Sequence, residues 1–135
     1  MKKALLIIAV LTVLSGCAMT PEEQAKWDQI NMMAQNEAVC SSSEECDEKW
    51  AMATYFVTRY AQRGIRNSSD NFIDTYPSPQ SSLQLHAAVN RVPLGDGRYR
   101  IASTWGCGNM FGCSTNPTMM RAAFNEYLRT GVIPE

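Results

Sequence analysis

The sequence predicts an α+β fold: helices packed on one face of a small antiparallel three-stranded sheet, in the order α-α-β-β-β-α, with two disulfides. Three observations carry this expectation. Apolar residues recur at helical spacing in three segments. They alternate on either side of Gly95-Asp96-Gly97, as the strands of a hairpin do. Four cysteines, Cys40, Cys46, Cys107 and Cys113, fall into two pairs with five residues inside each pair.

The first helix opens at Thr20, with Pro21 at the first helical position and Glu23 completing a capping box. Trp27, Ile30, Met33, Ala34 and Ala38 extend the pattern, so helix one is expected over about 21–38. A second runs from Ser43 to Arg63, its stripe formed by Trp50, Ala53, Thr54, Val57, Tyr60 and Ala61, and Gly64 ends it. These two helices read as an acidic hairpin over about 21–63. Residues 71–76 have strand composition, and two prolines keep 76–82 a loop.

In the hairpin, a two-residue Asp96-Gly97 loop would pair Val89 with Thr104 and put the apolar sets on opposite faces. A three-residue loop, with Gly97 left-handed at a bulge, pairs Val89 with Ser103 and Ala87 with Trp105 and aligns them. The three-residue loop is therefore expected, in a sheet spanning about 65–106. The last helix opens at Asn116-Pro117, runs to Thr130 over about 116–130 and stops at Gly131. Its inner face is Met120, Ala123, Phe124, Tyr127 and Leu128.

The chain begins Met1-Lys2-Lys3 and runs apolar from Ala4 to Leu14, broken only by Thr12. A spanning helix needs about 20 apolar residues, so this shorter run with a positive start has the form of a secretory signal. It closes on Leu14-Ser15-Gly16-Cys17. That motif resembles the lipobox of bacterial lipoproteins, and the resemblance covers only residues 1–17. It implies removal of 1–16 as a signal peptide and a diacylglyceryl thioether on Cys17, the new N-terminus, usually with a further amide-linked acyl chain. With Ala18 where an aspartate would favour the inner membrane, it also implies the outer membrane, facing the periplasm. Residues 17–135 then form one envelope domain.

An oxidising envelope favours disulfides among the four remaining cysteines. Three connectivities exist, and the equal spacing favours Cys40–Cys46 and Cys107–Cys113. Six helical steps rise about 9 Å, beyond the roughly 7 Å that bridged Cα atoms allow. The chain must therefore turn within both segments. Neither pair has the short gap of zinc motifs, so no metal is expected, and no cofactor either.

Catalytic residues are not evident. His86 is the only histidine, placed on the opposite strand face from Leu85 and Ala87, and no nucleophile elbow accompanies it. Asp70 and Asp74 read as solvated turn carboxylates. Met110 and Phe111, inside the second cysteine pair, either meet a partner or tuck Phe111 into the core. The chain from 17 onward carries 10 basic and 13 acidic side chains, a net of −3. That charge and an envelope address exclude nucleic acid as a partner. All eight cations after residue 50 are arginines. Arg98 and Arg100 are candidates for a protein partner or an anionic envelope ligand, since their forks fit carboxylate and phosphate; otherwise these arginines pair with local acids.

The expectation is a non-enzymatic, lipid-anchored envelope protein that binds or scaffolds an envelope protein. The alternative is an inhibitor or immunity-type lipoprotein that blocks a cell-wall-active enzyme. Only Ala18 and Met19 separate Cys17 from the cap at Thr20, so the acidic helices are expected near the headgroups. The arginine-bearing sheet and last helix are expected to point away.

Overall fold

The computed structural model describes residues 18–133; the leader and Cys17 lie outside the described residues. The first and last helices start at their expected caps, and the second starts at Ser43 as expected. Thr20 Oγ1 accepts from the Glu23 amide and Glu23 answers from its carboxylate, opening α1 (Pro21–Gln35). Ser42 Oγ accepts from the Glu45 amide to open α2 (Ser43–Tyr60), while Glu45 reaches past the cap to the Ser41 amide. Asn116 Oδ1 accepts from Thr118 and Met119 to open α3 (Pro117–Thr130), and Gly131, at φ 73°, closes it left-handed.

The sheet has five strands where three were expected. β1 (Ala38–Cys40), β2 (Ile65–Ser68), β3 (Phe72–Thr75), β4 (His86–Gly95) and β5 (Arg98–Gly106) are all antiparallel, in the order β1-β5-β4-β3-β2. The element order is therefore α-β-α-β-β-β-β-α. α1 ends at Gln35, three residues short of the expectation, because Ala38–Cys40 pair with Ile101–Tyr99 at the sheet edge. The Cys40–Cys46 bridge then carries the chain straight into α2. α2 stops at Tyr60 instead of Arg63: Ala61 is extended, and the Gln62 and Arg63 amides both donate to Leu85 O.

Val89 pairs with Ser103 and Ala87 with Trp105, as the apolar alternation requires. The means differs from the expected three-residue loop. Asp96 and Gly97, at φ 54° and 74°, make a two-residue turn between paired Gly95 and Arg98, and a bulge at Leu94 absorbs the odd residue.

One sheet face is covered by helices. There Ile73, Ala87, Val89 and Ile101 meet Phe56 and Val57 of α2 and Phe124, Tyr127 and Leu128 of α3. The other face is uncovered and exposes Val39, Asn90, Arg100 and Thr104. α1 packs chiefly on α3, so residues 21–63 do not form a helical hairpin. The joint is polar and buried: Asn125 Nδ2 donates to Met33 O and Ala34 O at the end of α1, at 3.0 and 2.9 Å. One residue of α3 thus satisfies the Ala34 carbonyl at the helix end and adds a second donor to Met33 O, which also accepts from the Asn36 amide.

Candidate docking surface

β5 runs out at Gly106, and the chain doubles back through Cys107–Cys113, whose Cα atoms stand 5.7 Å apart. The loop lies directly on the 76–82 segment. A Cβ at Gly108 would stand 1.9 Å from Pro79 O, so only glycine permits this approach. Four hydrogen bonds complete the clamp. Ser81 N donates to Gly108 O (2.9 Å), Asn109 Nδ2 to Ser81 O (3.1 Å) and Ser114 N to Leu83 O (2.9 Å), while Phe111 N donates to Asn109 Oδ1 (2.8 Å). The Ser114 hydroxyl and the Leu85 amide both donate to Gln62 Oε1, tying the base of the loop to the end of α2.

Phe111 is not a plug. Met110 is 88% and Phe111 93% exposed, with Leu83 half-exposed beside the base of the loop at 51%. Isolated exposed apolar residues are ordinary. A methionine and a phenylalanine held in water by a bridge, a glycine contact and four hydrogen bonds are not. Burying such side chains is worth about 1.5–3 kcal/mol each, and this loop leaves that free energy available to a partner.

Arg98 and Arg100 belong to another site. They begin β5, whereas the loop follows its end, about 27 Å away at 3.4 Å per residue. Arg100 Nε pairs with Glu37 at 3.2 Å, and the same carboxylate takes Arg121 at 2.6 Å. Arg91 pairs with Asp47 at 3.1 Å and lies over the Tyr99 ring. Arg98 is exposed, with no ion-pair partner among the described residues. His86 is half-buried on the uncovered sheet face, against Gly106.

Asp74 corrects the sequence reading. It is 7% exposed, not solvated, and accepts from Arg66, from the Asn67 amide and from Asn67 Nδ2. The hydrogen bond from Arg66 holds its carboxyl below the ordinary range, against the opposing effect of burial, with Asn67 adding to the lowering. A carboxylate with a depressed folded-state pKa contributes stability above its unfolded value, near 3.9, and loses it as pH falls through the folded value. The urea midpoint of wild type should therefore exceed that of Asp74→Asn by a constant margin from pH 7 to 5. The margin should shrink below about pH 4. A margin unchanged down to pH 2 would show that the ion pair does not couple to folding.

An apolar groove of about 450 Å³ lies between α1 and α3, lined by Ile30, Met33, Met119, Ala122, Ala123 and Val132 among others. Among the described residues no cluster of three metal-ligating side chains occurs, and no helix is long and apolar enough to cross a membrane. No family model, curated protein or solved structure matches the chain.

Proposed function

We propose that the chain is a lipid-anchored cell-envelope protein, held in the membrane through Cys17, that acts by binding or scaffolding and without turnover. The observation that carries the binding reading is the clamped 107–113 loop with Met110 and Phe111 in solvent. The anchoring reading rests on Lys2, Lys3, the apolar run and the Leu14–Cys17 motif. Two acyl chains at about 0.8 kcal/mol per methylene suffice for stable anchoring. Ala18 after the lipidated cysteine favours the outer membrane, facing the periplasm. The same loop also supports the alternative of an inhibitor or immunity-type lipoprotein, because a preformed loop loses little entropy on entering an enzyme's cleft.

Metabolic labelling with a tagged fatty acid should mark the wild type and leave Cys17→Ser unlabelled and in the soluble fraction. Equal labelling of both would end the anchoring reading. Met110→Ser with Phe111→Ser should abolish the cellular phenotype of the folded protein, whereas His86→Ala should not. The reverse pattern would point to an active site around His86.

A further inference from the structure

The loop sits at one end of the molecule, where the formal charges are Arg59 and Arg63 around the end of α2, and Arg63 donates to Gln84 beside Leu83; most of the remaining charge gathers at the other end. The two segments that build the loop end, 76–90 and 101–120, contain no aspartate, glutamate, lysine or arginine. The other end gathers the start of α2, with Glu44, Glu45, Asp47, Glu48 and Lys49, the hairpin turn with Asp96 and Arg98, and the end of α3 with Glu126 and Arg129. Glu45, Glu48, Lys49 and Arg129 share one shallow depression there, which fixes the neighbourhood of the two helix ends.

α1 points toward that charged end. Its contacts with α3 run antiparallel: Glu37 meets Arg121, Met33 and Ala34 meet Asn125, and Ile30 shares the apolar groove with Thr130 and Val132. The last turn of α1 thus lies beside the first half of α3, and its first turns project past the end of α3. Residues 21–29 are accordingly exposed except Trp27, which is half-buried. α3 is 14 residues long, about 21 Å, and the stretch from Ile30 back to Pro21 adds about 13 Å at 1.5 Å per residue. The start of α1 and the tip at Phe111 therefore lie on the order of 30 Å apart. This arrangement also revises the expected orientation, because Arg98 and Arg129 share an end with the start of α1 instead of facing away from it.

We infer that the loop end, with Met110, Phe111 and Leu83 as its apolar knob, docks into an apolar socket of another envelope protein, on the side of the domain away from the anchoring membrane. The inference rests on the lipid-anchored binding reading and names its partner class. A bilayer is the competing apolar occupant, and the placement of the anchor disfavours it: the anchored end is the opposite one, on the order of 30 Å from Phe111. Because the knob carries no formal charge, docking is insensitive to salt, unlike contacts made through Arg98 or Arg100.

The test uses the full-length chain with its own leader, carrying p-benzoylphenylalanine in place of Phe111 or, separately, of Arg98. Envelopes are irradiated at about 50 and about 500 mM salt, spanning Debye lengths from roughly 14 to 4 Å. The expected result is one protein adduct from position 111, of equal yield at both salts. Met110→Asp should reduce it about tenfold or more, as for a buried anchor, with the thermal midpoint held within about 2 °C because residue 110 is exposed. A phospholipid adduct at 111 overturns the inference. So does an adduct at 98 with none at 111, which leaves the binding reading standing. Absence of adducts at both positions defeats both.

Discussion

Phe56→Ala should destabilise the domain by about 3–5 kcal/mol, the range for deleting a buried aromatic ring. Phe56 is fully buried at the junction of α2, α3 and the sheet. Its ring centroid lies 4.4 Å from Tyr60, 5.4 Å from Phe124, 5.6 Å from Tyr127 and 5.8 Å from Trp105, so four aromatic contacts end together. Neighbours drawn from two helices and a strand cannot all collapse into the space left behind, which places the cost high in the range. A domain of this size has about 5–15 kcal/mol in total, so the variant should be partly unfolded near body temperature. In urea its midpoint should fall by at least about 1 M with the slope unchanged. Met110→Ala, which removes no native packing, should stay within about 0.5 kcal/mol. Equal shifts for the two variants would mean that the aromatic cluster is not the centre of the core.

Phe56 also shows where sequence periodicity falls short. The helical stripe through Ala53, Val57 and Tyr60 is present, yet it omits the residue that the core is built around. α2 packs on the sheet and on α3 at once, so its buried arc is wider than a single stripe. β1 was hidden for a related reason. Ala34 and Ala38 are four apart and continue a helical pattern, while the strand exists only because β5 offers an edge and the Cys40–Cys46 bridge needs a turn. β2, with the sequence Ile-Arg-Asn-Ser, has little strand character. Its pairing is secured by Arg66 and Asn67 gripping Asp74 across the ladder. Caps, the hairpin register and both local disulfides were legible because each is decided by nearby residues.

Among candidate site residues, spacing singled out Met110 and Phe111 but could not say whether they face water. That depends on Gly108 lying against Pro79 and on Ser81 and Leu83 receiving the loop, contacts between segments about 30 residues apart. Arg98 and Arg100 were legible as arginines on one strand, and their distance from the loop followed only from the topology. Asn125 left no signal, since a polar residue between Phe124 and Tyr127 reads as solvent-facing until α1 is seen to end over it.

The two bridges should separate stability from docking. Replacing Cys107 and Cys113 together by serine should cost about 2 kcal/mol, close to the chain-entropy value for a seven-residue loop. These cysteines are only half-buried and outside the aromatic core. Docking should suffer more. Once the bridge is gone, residues 110–112 must be ordered on binding, and fixing two or three residues at about 1–2 kcal/mol each weakens capture by roughly thirtyfold to ten-thousandfold. Replacing Cys40 and Cys46 by alanine should do the opposite. Both are fully buried, and their bridge joins β1 to the first turn of α2, so lost packing adds to lost constraint. That variant should unfold at lower urea than the Cys107/Cys113 variant, yet its folded fraction should still form the adduct from position 111. If both double variants lose stability equally and both keep the adduct, the second bridge does not shape the knob, and the hydrogen bonds from Ser81, Asn109 and Ser114 hold it alone.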